Sequence, residues 1–128
     1  MPLGNAGLAR IAAVDWASLA PLPAGGAVLL SDVDNPLLGD RGAIAVFGPQ
    51  KGVTAGRAGA AESALARLAD ALVENPGGAL PETPGAGAAG GTGFGMLAWG
   101  ATMSSGARAI AETIGLPASI VGADLVIT

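Results

Sequence analysis

The side chains of this 128-residue chain that could do chemistry fall into three short segments. The first, Ser31-Asp32-Val33-Asp34-Asn35, follows the apolar run Ala27-Val28-Leu29-Leu30 and stops at Pro36. Side chains alternate along an extended strand, so Asp32 and Asp34 are expected on one side of its end. Two carboxylates and an amide there could hold magnesium, hydrogen-bond a polyol or act as a base. The same residues also suit plain turn chemistry ahead of a proline. The second segment, Gly48-Pro49-Gln50-Lys51-Gly52-Val53-Thr54, sets Lys51 between glycines just before a helical pattern. A lysine beside a helix N-terminus suits phosphate or carboxylate, although the spacing is not that of a Walker A loop. An ordinary exposed lysine would look the same. In the third segment, Gly85-Ala86-Gly87-Ala88-Ala89-Gly90 satisfies GxGxxG. A dinucleotide loop needs a strand immediately before it and an acidic residue closing a second strand about 20 residues later. Here Pro81-Glu82-Thr83-Pro84 precedes it, and Glu112 falls inside a helical pattern. A tight loop-to-helix joint and an anion cradle of backbone amides stand beside the dinucleotide reading.

Composition removes much other chemistry. The chain has neither Cys nor His, which excludes disulfides, thiol catalysis, structural zinc and imidazole acid–base work. Six Lys and Arg are scattered against ten Asp and Glu, a net charge of −4. No phosphate-tracking basic surface follows from that balance, so nucleic acid is not an expected partner. Charged residues make up 12%, too few for a charge-rich disordered tail or a coiled coil. Gly 22 and Ala 29 dominate, and only 36 residues are Leu, Ile, Val, Met, Phe or Trp. Elements packed closely through small side chains are therefore expected, with surface completed from elsewhere.

These segments need elements to hold them. Leu8 to Val14 is compatible with a short helix, and Trp16 to Pro23 is a connection broken by Pro21 and Pro23. Ala27 to Leu30 reads as a buried strand, and Ala43 to Phe47 is a second short apolar run. Thr54 is the expected N-cap of a helix over about 55–74, with Ala61, Ala64, Leu65, Leu68, Ala71 and Leu72 as its apolar stripe. Glu62, Ser63, Arg67, Asp70 and Glu74 lie off that stripe and are expected in solvent. Phe94 to Trp99 begins or forms a helix. Ser104 or Ser105 caps another, whose face is Ala107, Ile110, Ala111 and Ile114 and whose C-terminal glycine is Gly115. Ala123 to Thr128 reads as a buried strand, stopping short of the residues that strand ends deliver to ligands in open α/β sheets. The fold class is thus mixed α/β.

No charged segment followed by an apolar stretch marks a secretory signal. Thr83 to Ala107 is uncharged and has GxxxG spacings at Gly87, Gly91 and Gly95. It lacks the dense run of about 20 apolar residues that spans a membrane. A soluble cytoplasmic protein without a membrane partner is expected.

Taken together, the segments resemble one family. Ser31-Asp32-Val33-Asp34-Asn35-Pro36-Leu37-Leu38-Gly39, Arg41-Gly42-Ala43 and Val46-Phe47-Gly48-Pro49-Gln50-Lys51-Gly52 are similar, in order and approximate spacing, to a signature of bacterial glycerate kinases. Pro84 to Gly91 with Gly93-Phe94-Gly95 resembles the family's glycine-rich segment, and Gly122 to Thr128 resembles the opening of its "GADLVITGEG" motif. The likeness spans nearly the whole chain.

The resemblance implies ATP-dependent phosphorylation of D-glycerate, usually at the 2-hydroxyl in this branch, with ATP and magnesium as cofactors. It implies an enzyme about three times longer, with a flavodoxin-like domain, an inserted domain and a cleft between them. Residues 1–128 then form a single partial domain, a small three-layer-like α/β unit incomplete at both ends. It corresponds to the inserted domain plus, at about 122–128, the start of the strand returning to the flavodoxin-like domain. Within it, Asp32, Asp34 and Asn35 match the positions implied to contact glycerate or metal, with Asp32 and Asp34 as the metal candidates. Lys51, with the backbone of Gly48 and Gly52, matches the implied phosphate or carboxylate contact. Gly87, Gly90 and Gly91 match the glycine-rich segment, for close backbone approach or anion binding. The family's "TNDGG" segment and its "GEG" with the following Arg-Leu-Asp have no counterpart in this sequence. The chain alone is therefore expected to lack kinase activity. Two other readings stand beside it: a stand-alone nucleotide- or anion-binding module, and a non-catalytic interaction remnant that self-associates through exposed apolar surface.

Overall fold

A computed structural model describes residues 4–127. Two short strands, β1 (Val28–Leu30) and β2 (Thr102–Ser104), pair in parallel, with Val28 opposite Thr102, Leu29 opposite Met103 and Leu30 opposite Ser104. Helix α1 (Asn5–Leu8) precedes β1. The crossover between the strands carries α2 (Ala43–Phe47), a 3-10 turn (Pro49–Lys51), α3 (Ala55–Ala71) and α4 (Ala88–Trp99). Helices α5 (Gly106–Thr113) and α6 (Leu116–Ser119) follow β2. The fold is mixed α/β, with six helices and a small parallel sheet among the described residues.

The core lies between α2, α3 and α4 and is built around Leu37 and Phe94, the largest side chains fully removed from solvent. Leu65, Leu72 and Leu97 complete its bulk, and Ala43, Ala69, Ala86 and Ala98 fill the space between them. Alanine at these contacts lets helix backbones approach closely, as the composition anticipates. No helix among the described residues is long and apolar enough to cross a membrane.

Several elements depart from the sequence expectations, each for a local reason. The first helix covers Asn5–Leu8 rather than Leu8 to Val14. The Asn5 side chain donates to the Ala61 carbonyl at 3.0 Å, so a contact with α3 sets its position. The apolar run Ala43–Phe47 is helical; such a short run fits helix or strand, and here the amides of Val46 and Gly48 close helical turns onto Gly42 and Ile44. Helix α3 ends at Ala71 because the Asn75 side chain takes over, donating to Leu72 O and exchanging hydrogen bonds with Ala79. Thr54 stands at the N-cap without a side-chain cap bond.

The strands and helices expected to be buried are only partly covered among the described residues. Val28 is 59% exposed and Leu30 50%: they alternate with Leu29 and share a face of the sheet that is left largely uncovered. Ile110 of α5 and Ile114 at its C-cap also face outward. The expected strand at Ala123 to Ile127 is irregular and exposed, since no neighbouring strand edge receives it; Thr128 lies outside the described residues.

Candidate active site

Because β1 and β2 run in parallel, their carboxyl ends lie side by side, and the segments leaving them form one cleft. Ser31, Asp32, Val33 and Asp34 line it from β1, and Met103, Ser104 and Ser105 line it from β2, with Pro84 beside them. Its volume is about 430 Å³. This is the position at which open parallel sheets present groups to ligands.

Both strand-end aspartates line the cleft, but they turn to different partners. Asp32 Oδ1 accepts the Ser105 hydroxyl at 2.9 Å and the Ala107 N–H at 3.2 Å, so it serves the first turn of α5. The Ala107 N–H, then the Ser105 hydroxyl, with the Gly106 N–H in support, hold this carboxyl below the ordinary aspartate range. Asp34 Oδ1 lies 3.5 Å from Arg41 Nη2, both side chains being largely exposed. Asn35 donates through Nδ2 to the Arg41 carbonyl at 2.8 Å, and its own carbonyl accepts the Gly87 N–H at 2.9 Å. Asp32 and Asp34 both face the cleft; β1 itself stops at Leu30, so the two aspartates stand on the segment leaving the strand and not on the strand.

Lys51 stands elsewhere. It lines a separate groove of about 500 Å³ between α1, α2 and α3, together with Asn5, Ile44, Gly52 and Arg57. The N–H groups of Gly48 and Gly52 donate to the carbonyls of Ile44 and Pro49. They are thus committed to local turns, and the contact that Lys51 offers an anion is its ammonium.

The glycine-rich segment is a packing joint. The amides of Ala86, Gly87, Ala88 and Gly90 donate to Thr83, Asn35, Gly85 and Gly87 carbonyls. A Cβ on Gly87 would run into the Pro36 carbonyl oxygen, and one on Gly91 would press on Leu37 and Leu65. Ala89, Gly90 and Gly91 take left-handed backbone in succession (φ 51, 76 and 100), which kinks the start of α4 and sets Phe94 into the core. No strand leads directly into the segment, residues 80–87 being turn and loop, so the dinucleotide geometry is not formed.

Sequence reasoning missed two participants. Ser105, expected only as a helix cap, both accepts the Arg108 N–H at 3.3 Å and reaches Asp32. Glu62, expected in solvent, is partly buried and accepts the Gly39 N–H through Oε1 at 2.7 Å. Its place beside the i, i+4 stripe of α3 was the available signal.

Residues 1–128 match the family model described as the Glycerate kinase family. The chain belongs to the glycerate kinase family. It is 42% identical over 98 residues to the glycerate kinase of Bacillus subtilis, covering 76% of this chain and 26% of that protein. The glycerate kinase of Halalkalibacterium halodurans is 34% identical over 131 residues, covering 99% of this chain and 34% of that one. Glycerate 2-kinase of Escherichia coli is 38% identical over 98 residues, covering 76% of this chain and 26% of its own. The crystal structure of a putative glycerate kinase 2 from Salmonella typhimurium LT2 superimposes with a TM-score of 0.82 at 36% identity, over 98% of this chain and 34% of that one. The chain thus spans about a third or less of the length of these glycerate kinases.

Magnesium, the metal that the family resemblance implies, is a cation that binds through oxygen. The cleft offers the carboxylates of Asp32 and Asp34 and the hydroxyls of Ser31, Ser104 and Ser105, a donor set that fits. Among the described residues no three or more acidic side chains converge as a metal site. A magnesium ion here would take most of its shell from phosphate and water.

Proposed function

We propose that the full-length enzyme bearing this segment phosphorylates D-glycerate with ATP, and that this segment supplies one wall of its cleft. The observation that carries the reading is the position of the signature residues Ser31 to Asp34 at the paired carboxyl ends of β1 and β2, in a cleft lined with carboxylates and hydroxyls, with Asn35 next in the chain. Glycerate is a small polyol acid, and Asp34 and Asn35 offer acceptors for its hydroxyls. Asp34, supported by Asp32, would hold magnesium, which neutralises charge on the transferring phosphoryl group when bound. Lys51 would meet phosphate or carboxylate from its own groove once the remainder of the family's length closes over both. Phosphoryl transfer depends on positioning and charge neutralisation, so a single wall is not sufficient. The family's flavodoxin-like domain is proposed as the opposite wall and as the source of the segments absent from this sequence. A cytoplasmic enzyme, with access to the ATP pool, is part of this proposal. On its own, the chain is expected to self-associate through the uncovered apolar side chains of α5 and residues 120–127, which sedimentation would read.

A coupled assay for ADP release tests the proposal. The full-length enzyme should release ADP only when both ATP and glycerate are present, and the purified 128-residue chain should release none. A full-length enzyme indifferent to glycerate would overturn the substrate. Turnover by the short chain at the full-length rate would overturn the need for a second wall.

A further inference from the structure

Helix α3 carries one acidic side chain that turns away from solvent. Glu62 is partly buried; its Oε1 accepts the Gly39 N–H at 2.7 Å, and its Oε2 is sealed from solvent with no hydrogen-bond partner among the described residues. A carboxylate oxygen shut away from water without a donor weakens a fold, so packing alone does not account for glutamate at this position. What the carboxylate supplies is a charged acceptor for one backbone amide, a stronger bond than a neutral acceptor makes.

That amide opens a short strap. The Gly42 N–H donates to the Gly39 carbonyl at 2.8 Å, and the Ala43 N–H donates to Leu37 O at 3.0 Å. From within the strap Arg41 reaches back to the signature at two points. Its carbonyl accepts Asn35 Nδ2 at 2.8 Å, and its guanidinium faces Asp34 Oδ1 at 3.5 Å. The ion pair is 74% and 77% exposed, and such pairs are weak by themselves. Its geometry therefore follows from where the backbone around Arg41 is held. Glu62, 23 residues along the chain from Gly39, is the side-chain tie between that backbone and α3.

We propose that Glu62 is a positioning residue: by holding the Gly39 N–H it fixes the Gly39–Arg41 strap, and through the strap it orients the Asn35 carboxamide and the Asp34 carboxylate. It does not touch substrate. The inference rests on the glycerate-binding role given to Asp34 and Asn35 above.

Amide hydrogen exchange on the chain tests the mechanical half. Glu62→Ala should speed exchange at Gly39, Gly42 and Ala43 by about tenfold or more relative to α4 amides in the same molecule, as loss of a charge-assisted bond implies. Glu62→Gln, which keeps an acceptor without its charge, should speed it much less. Unchanged exchange in Glu62→Ala, or equal acceleration at every amide, would overturn the proposal. Kinetics of the full-length enzyme test the other half. Glu62→Ala should raise KM for glycerate by about tenfold with a smaller change in kcat, with Glu62→Gln restoring it. In an Asp34→Ala/Asn35→Ala background the further effect of Glu62→Ala should vanish, whereas a merely structural residue would add its cost unchanged. If Glu62→Ala loosens the strap while Asp34→Ala and Asn35→Ala leave KM alone, the glycerate-binding reading fails and the strap stands. If those two raise KM while Glu62→Ala moves neither exchange nor KM, the positioning role fails.

Discussion

The Ser105 hydroxyl donates to Asp32 Oδ1 at 2.9 Å across 73 residues of sequence, while the same hydroxyl accepts the Arg108 N–H at 3.3 Å. One oxygen thus caps α5 directly and delivers a carboxylate to the same helix end. The Ala107 N–H adds a second donor to that carboxylate. A negative charge at a helix N-terminus is favoured by the aligned peptide dipoles and the free amides of the first turn. The contact ties the loop leaving β1 to the helix leaving β2, so the two segments that line this side of the cleft are set with respect to each other. Of the two strand-end carboxylates, Asp32 is the one already engaged by the fold and Asp34 the one more open to a ligand.

Asp32 should titrate below the ordinary aspartate value, because the Ala107 N–H, the Ser105 hydroxyl and the Gly106 N–H all favour the ionised form. A folded-state value lowered below the unfolded one contributes stability that is complete above the unfolded value. That contribution is lost as pH falls through the lowered folded value. Carbon-detected NMR titration of the Asp32 carboxyl reads this directly, and a midpoint at or above that of an unstructured aspartate would contradict it. Asp32→Asn should lower stability at neutral pH and flatten its dependence in the acid range.

Lys51→Ala in the full-length enzyme should lower kcat/KM by about ten- to a hundredfold. That corresponds to losing a hydrogen bond to a charged group, worth about 1.5–3 kcal/mol. Lys51 is exposed, and its neighbouring glycine amides are engaged in turns, so its loss should leave thermal stability nearly unchanged. Steady-state kinetics paired with a melting curve separate the two effects. Near wild-type turnover would remove Lys51 from the site.

Gly87→Ala should destabilise the fold by about 1–3 kcal/mol, the usual cost of forcing an atom into a packed position. Its added carbon would meet the Pro36 carbonyl, next to the Asn35 carbonyl that already accepts the Gly87 amide. Gly90→Ala meets no atom within 4 Å, and its cost of about 1–2 kcal/mol comes from the left-handed backbone at φ 76. Denaturant unfolding of the two variants distinguishes them by mechanism as well as size. Adding a further methyl should worsen position 87, where the space is filled, and leave position 90 little changed.

Those contrasts show what the sequence could and could not disclose. The period of α3, the Ser105 cap and the left-handed Gly115 follow from residues close in the chain, and each was legible. The inward turn of Glu62 and the Asp32–Ser105 contact depend on partners 23 and 73 residues away, which local pattern does not reveal. The run Ala43–Phe47 was ambiguous because five apolar residues suit either secondary structure. The exposed, irregular segment at 123–127 shows the converse: β-branched composition favours a strand, but a strand also needs an edge to pair with.

Phe94 is the test of how an alanine-rich core stays together. It is 1% exposed and packs in a cluster whose other members include Ala43, Ala69, Ala86 and Ala98. Phe94→Ala should cost about 3–5 kcal/mol, since small rigid neighbours cannot move far enough to refill the space. Total stabilities of ordinary domains are about 5–15 kcal/mol, so this one change should remove a large share of the chain's stability. Overpacking should also be harmful: Ala98→Leu, at a position with no exposed surface, should cost about 1–3 kcal/mol. Chemical denaturation of both variants measures the pair. A Phe94→Ala variant as stable as the parent would mean that the cluster around Leu37 is not the core that holds α2, α3 and α4 together.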